Sequence, residues 1–188
     1  MSDLKPLNAL GGNAPKTEAI GAVTFTEVPE LALASVAARR GAKEKCADLL
    51  AGLLGNAAPA PGHAVLAEPF SAVWMAENQW MVGAHFDSHE DIAFQLAKTF
   101  GPYASITEQS DGWVTIDVSG DGTVDLLERL SAARVRRMKA GMAHRTSIHQ
   151  MSCFLLCGAP GAFYRVLGPR SSVGSLWHAL CQAALSVR

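Results

Sequence analysis

The sequence predicts an α+β fold: two ferredoxin-like split βαβ halves with antiparallel sheet and helices on one side. Three observations predict it. Extended runs and amphipathic helical stripes follow the order β-α-β-β-α-β and then β-α-β-β-β-α. Two of the junctions are hairpin loops, at Glu77-Asn78 and at Gly158-Ala159-Pro160-Gly161. The chain has 188 residues, 49% hydrophobic and 18% charged, which suits one core or two small fused halves. The expected organisation is an extended N-terminal arm over residues 1–30, then a single α+β domain over 31–188. Its halves are expected at 31–108 and 109–188.

In the arm, Gly11, Gly12, Pro15 and Pro29 break any periodicity, and Leu4, Leu7 and Leu10 are scattered. Such a segment is disordered or laid on a partner, and the leucine pegs favour the second. Residues 31–38 (L-A-L-A-S-V-A-A) read as a buried strand. A helix is predicted over 43–54, because Cys46, Leu49, Leu50, Leu53 and Leu54 form one stripe and Gly55 follows. Residues 56–62 are a loop. Residues 71–76 and 79–85 form a hairpin. Ser88 to Asp91 matches a capping box, leading into a helix that buries Ile92, Leu96 and Phe100 and stops at Gly101-Pro102.

Strands are predicted near 103–108 and 113–119. Val114, Ile116 and Val118 share one face of the second; Thr115 and Asp117 share the other. Asp121 is the expected N-cap of a helix over 123–132 that buries Val124, Leu127 and Leu130. In it, Asp125 and Arg129 form an i, i+4 pair worth about 0.3–0.5 kcal/mol. A basic connector follows, with Arg134, Arg136, Arg137 and Lys139, expected as a solvated loop. Strands are then predicted over 143–149, 152–157 and 162–167, and a closing helix over 172–185. That helix has a Leu176, Leu180, Ala183/Ala184 stripe widened by Trp177 and Cys181.

Net charge is −1, so no overall field favours nucleic acid or an anionic membrane. No apolar run reaches the ~20 residues of a membrane helix. Asp3 and Lys5 with no apolar core behind them predict no signal peptide. Cys46, Cys153, Cys157 and Cys181 include no C-x-x-C pair, so free buried thiols in a reducing cytoplasm are expected.

The sharpest apparent motif runs from Asp117 through Ser119, Asp121-Gly122-Thr123 and Asp125 to Glu128, the twelve-residue spacing of a calcium loop. It lacks the preceding helix, because 113–118 alternates as a strand. Gly120-Asp121-Gly122 resembles a dinucleotide turn, but Asp125 stands where the third glycine belongs, so a turn with an N-cap is expected. His85 and His89 straddle a strand–helix junction, and His144 and His149 point to opposite faces of a strand. His63 and His178 are isolated, so no metal set is expected. No G-x-S-x-G elbow or other nucleophile signature occurs.

Four stretches carry a family resemblance: Leu7-Asn8-Ala9-Leu10-Gly11-Gly12, residues 105–130, Arg145-Thr146-Ser147-Ile148-His149, and residues 169–180 (P-R-S-S-V-G-S-L-W-H-A-L). Nearly end to end, the chain resembles the gamma subunit of heterotetrameric sarcosine oxidase. The connector 133–141 departs by being more basic. The resemblance implies a fold like the folate-binding domain of aminomethyltransferases, and partners that are alpha, beta and delta chains. It implies a flavoprotein complex of sarcosine catabolism and one-carbon metabolism. That complex demethylates sarcosine to glycine with oxygen, yielding hydrogen peroxide and formaldehyde or, with tetrahydrofolate, 5,10-methylenetetrahydrofolate. FAD, FMN, NAD, tetrahydrofolate and zinc are implied in the partner subunits and none in this chain. No catalytic, cofactor-binding or metal residue transfers to this sequence. The chain is thus expected to be enzymatic only as part of the complex. The rival is a stand-alone folate-dependent one-carbon transferase, for which Asp117 or Glu108 would be the pterin-binding carboxylate. A calcium-binding module over 117–128 is a third reading.

Overall fold

The computed structural model describes residues 7–187, so Asp3, Leu4 and Lys5 of the expected arm lie outside the described residues. The fold comprises two compact units. The first holds Glu30–Asp111 with Gly141–His144; the second holds the chain up to Pro29, Gly112–Ala140 and the chain from Arg145 onward. Among the described residues, no helix is long and apolar enough to cross a membrane.

In the first unit the sequence signals act locally. β3 is Leu31–Ala38, after two strands described below. Helix α1 is Lys43–Leu54, and Gly55 closes it at φ 63, a left-handed conformation that costs glycine nothing. Two-residue β4 is Ala64–Val65; β5 is Phe70–Ala76 and β6 is Gln79–His85, joined through Asn78 at φ 59. One-turn α2 is Phe86–His89, α3 is Ile92–Phe100 and β7 is Ala104–Glu108. The sheet order is β4-β5-β6-β3-β7, and the observed pairings are antiparallel. The unit's first long strand thus lies between its third and fourth, the ferredoxin-like arrangement. Ala32, Ala34 and Val36 present a low surface to the helices, and Cys46, Leu50, Leu54, Ile92, Leu96 and Phe100 fill the space above it. Trp80 is buried with its indole N–H donating to Pro59 O at 2.9 Å.

The predicted capping box is not made. Ser88 lies inside α2, which starts directly after β6, and its hydroxyl is 3.2 Å from His85 O and 2.8 Å from His89 Nδ1. Asp91 precedes α3 without a capping bond, and its carboxylate accepts from Gln95.

The second unit contains β8 (Trp113–Ser119), α4 (Thr123–Leu130), β9 (Ala143–Ile148) from Arg145 onward, β10 (Met151–Ala159), β11 (Phe163–Pro169) and α5 (Val173–Ala184). It also contains β1 (Thr17–Ile20) and β2 (Val23–Glu27). The sheet order is β1-β2-β8-β11-β10-β9. In a split βαβ unit the first strand lies between the third and the fourth. Here β8 lies between β11 and β2. The strand expected after the second helix is therefore supplied by β2, from upstream of the first unit. β2 pairs antiparallel with β8, with Phe25 opposite Val118.

Residues 17–27 are thus a sheet hairpin, not part of an unstructured arm. Val23 and Phe25 alternate inward and are buried, and Phe25 meets the Trp177 ring edge-on at 6.2 Å. Glu27 occupies the next inward position and is 1% exposed. Its carboxylate accepts Leu10 N–H at 3.0 Å and Lys16 N–H at 3.2 Å. A buried carboxylate is tolerated when such donors replace water. Further ties are Arg170 Nη2 to Leu7 O at 3.2 Å and Trp177 Nε1 to Glu18 at 3.1 Å.

The glycine turn serves the same hairpin. A Cβ on Gly120, at φ 110, would lie 1.9 Å from Ala22 O, and one on Gly122 would lie 2.9 Å from Val23 Cγ2. Asp121 is not the N-cap of α4. Gly122 stands there without a side-chain bond, and the Thr123 hydroxyl meets Gly120 O at 2.9 Å and Gly161 O at 3.1 Å. The buried positions of α4 are Thr123, Leu126 and Leu127, whereas Val124 and Leu130 are half-buried. His149 belongs to a two-residue turn with Gln150, both at positive φ, and not to β9.

Gly120→Ala is expected to destabilise the protein by about 3 kcal/mol or more in urea unfolding. Glu27→Ala leaves two amides without their acceptor and is expected to cost about 1–3 kcal/mol. It should also speed proteolysis and amide exchange selectively within residues 7–27.

Candidate functional site

The stretch 105–130 gathers the polar residues that the sequence singles out. Glu108 ends β7 and turns its carboxylate onto the following backbone. Oε1 accepts from Gln109 N at 3.1 Å, from Ser110 N at 2.9 Å and from the Ser110 hydroxyl. Ser110 Oγ in turn accepts Leu33 N–H at 2.9 Å, which fastens the turn to β3. The carboxylate that would bind a pterin is thus engaged in shaping a turn.

Asp117 is equally engaged. It lies on β8 directly opposite Arg165 of β11. The guanidinium grips it in a fork, Nε to Oδ1 at 2.7 Å and Nη2 to Oδ2 at 2.9 Å, with both side chains 21% exposed. Bidentate geometry and partial burial make this stronger than an open surface pair.

The remaining residues of the calcium-like spacing lie in different elements. Asp117 and Ser119 are on a strand, Asp121 on a turn, and Thr123, Asp125 and Glu128 on a helix. Asp125 does not pair with Arg129, which reaches Ser186 Oγ at 3.1 Å. It pairs with Arg136, whose Nε also meets Glu128 Oε2 at 2.8 Å, while Arg136 N donates to Glu128 Oε1 at 3.1 Å. The Asp125 hydrogen bond, then the Glu128 charge, hold the Arg136 guanidinium above its ordinary pKa. Among the described residues, no group of three or more His, Cys, Asp or Glu side chains is placed to hold a metal.

The basic connector is also more than a solvated loop. Val135 and Met138 are buried, and a 3-10 turn over Val135–Arg137 aims Arg136 back at α4. An open cleft of about 510 Å³ lies here, lined by Asp121, Asp125, Arg136, Met138, Gly161 and Tyr164 among others. The Tyr164 hydroxyl accepts Gly161 N–H at 3.1 Å, and burial pushes its pKa up. The cleft's cation is held by two carboxylates, so it offers no free positive charge for an anionic ligand.

The histidines stay apart in role. His85 Nε2 is 3.3 Å from Glu30, His89 packs edge-on against Phe70 at 4.7 Å, and His63 Nδ1 lies 3.0 Å from Pro61 O. The four cysteines are buried and unpaired. Burial pushes the Cys46, Cys153 and Cys181 thiols up to about 11, away from nucleophilic use.

Several of these roles rest on pairs that local spacing does not reveal. Arg165 is 48 residues from Asp117, and Glu27 is 17 from Leu10. The one available signal was the alternation Val23, Phe25, Glu27, which puts an acid in register with core residues.

No protein-family model matches the chain, and no curated protein does. Among solved structures, it is similar to heterotetrameric sarcosine oxidase from Corynebacterium sp. U-96. The TM-score is 0.76 and the identity 18%, over 92% of this chain and 88% of that chain. It is also similar to glycine cleavage system aminomethyltransferase T from Bartonella henselae. There the TM-score is 0.66 and the identity 14%, over 86% of this chain and 46% of that one. The chain therefore spans a little under half of that transferase. At these identities the likeness establishes the fold: an α+β fold shared with a sarcosine oxidase chain and with an aminomethyltransferase.

The thiols give a pH test. Their folded pKa lies above the ordinary value of 9.0. Their contribution to stability is thus complete below pH 9 and is lost as pH rises toward about 11. The urea midpoint is expected to fall across that window, with less of a fall in the Cys46→Ala variant relative to its own neutral-pH midpoint. Below pH 9, thiol reagents should label the native protein slowly and the unfolded chain fast.

Proposed function

We propose that this chain is a non-catalytic, gamma-type subunit of a heterotetrameric sarcosine oxidase, working in the cytoplasm beside alpha, beta and delta chains. The reaction of the assembly is the oxidative demethylation of sarcosine to glycine. FAD, FMN, NAD, tetrahydrofolate and zinc reside on the partners. The observation that carries this reading is the extent of the structural likeness. It runs through 92% of this chain and 88% of the similar sarcosine oxidase chain, so it spans most of both.

The residues that carry the sequence resemblance support a scaffolding role. Arg170 and Trp177, from the 169–180 stretch, tie down residues 7 and 18. Gly120 and Gly122, from the 105–130 stretch, make room for the N-terminal hairpin. Asp117 and Glu108, the carboxylates that a free-standing folate transferase would use, are committed to Arg165 and to the 109–110 backbone.

Co-expression with the flavin-bearing chains of a sarcosine oxidase tests the assignment. A yellow complex containing this chain is the expected product, and the isolated chain should be colourless. Titration of the isolated chain with tetrahydrofolate is expected to give no saturable heat. Saturable binding there, with no complex from co-expression, would replace the subunit reading with the one-carbon transferase.

A further inference from the structure

The turn between β3 and α1 is the most strongly charged segment not accounted for by the fold. Within residues 39–45, Arg39, Arg40, Lys43 and Lys45 face one carboxylate, Glu44, in a chain whose total is −1. All four cations are exposed. The ion pairs among the described residues use Lys16, Arg136 and Arg165, the His85 ring lies 3.3 Å from Glu30, and none of these four takes part. The backbone holds the cluster firmly. Arg39 N donates to Tyr103 O at 2.9 Å, Ala42 N to Arg39 O at 2.9 Å, and Gly41 turns at φ 78. The first of these bonds ties the turn to the backbone of Tyr103, whose side chain is 40% exposed.

Local electrostatics do not explain the arrangement. Lys43 and Lys45 occupy the first turn of α1, where the helix dipole favours acids, and Ala42 gives no side-chain cap. A local rule broken without a structural gain points to function.

We propose that the β3–α1 turn is a docking surface for an acidic segment of a partner protein chain. Arg39 and Arg40 are of a residue type enriched at protein interfaces, and both are exposed. A few clustered cations on a chain of net negative charge suit a short acidic stretch better than the long charged backbone of a nucleic acid. Carboxylates placed there would relieve the repulsion among the four cations and complement the start of α1. The identity of the partner rests on the subunit reading above; the surface itself is testable apart from it.

The test is fluorescence anisotropy of a short fluorescein-labelled oligo-glutamate peptide with the full chain at low salt. Saturable binding is expected, weakened by added salt. R39E/R40E should weaken it about tenfold or more. A second pair, K43Q/K45Q, should also weaken it while keeping the thermal midpoint at or above wild type, because it removes cations from a helix start. No binding by wild type overturns the proposal, as does binding unchanged by both pairs. Tighter binding of an oligothymidylate of equal charge would also overturn it, in favour of nucleic acid. The subunit reading fails differently: it falls if no complex forms on co-expression, whatever the peptide does.

Discussion

A single inward-facing carboxylate fixes how the second unit is closed. Glu27 ends the strand that completes the sheet beside β8, and it collects two backbone amides from the segment before it. A carboxylate so placed cannot be left without donors, because its desolvation would exceed what the strand gains by pairing. The amides of Leu10 and Lys16 must therefore arrive with it. That requirement fixes residues 10–16, and Arg170 extends the hold to Leu7. Strand pairing, burial of Phe25 and anchoring of the preceding segment form one coupled arrangement.

The same coupling explains why residues 105–130 resemble a site. Strand ends, tight turns and helix starts use the residues that ligand sites use: Asp, Ser, Thr and Gly. In a site their polar atoms converge on an empty space. Here they diverge, Asp117 to Arg165, Thr123 to Gly120 and Gly161, Asp125 and Glu128 to Arg136. The glycines point the same way. Gly120 is positioned for the approach of the Ala22 carbonyl, where a nucleotide turn would leave space for a phosphate.

Most of the fold was legible because it is written in local periodicity. The leucine stripe and terminal glycine of α1 predict its observed bounds, and the hairpin over β5 and β6 is displaced by one residue at most. β1 and β2 are masked in the sequence: V-T-F-T-E alternates correctly, but its third inward residue is an acid and its flanks are glycine and proline. The partner strand of β2 is some 90 residues away, as the Phe25–Val118 register shows, and no local pattern names it. The predicted caps failed for a related reason. Ser88 and Asp121 have the right residue types at plausible spacings, but the N-cap positions fall at His85 and Asp91, three residues either side of Ser88, and at Gly122, one residue after Asp121.

The polar pairs show where legibility ends. An i, i+4 rule assigns Asp125 to Arg129, and that pair is worth only a few tenths of a kcal/mol in isolation. Burial of Val135 and Met138 brings Arg136 to the same carboxylate, and there it meets Glu128 as well. One guanidinium between two acids outcompetes a single solvated pair, because the connector's backbone is already ordered by its apolar residues and little further entropy is lost. The apolar residues of a basic connector thus decide its role: they convert a run of charge into a clamp on α4, and no count of arginines reveals that. Charges whose backbone is ordered but whose heads find no such acid, as at Arg39 and Arg40, are the ones left to act outside the chain.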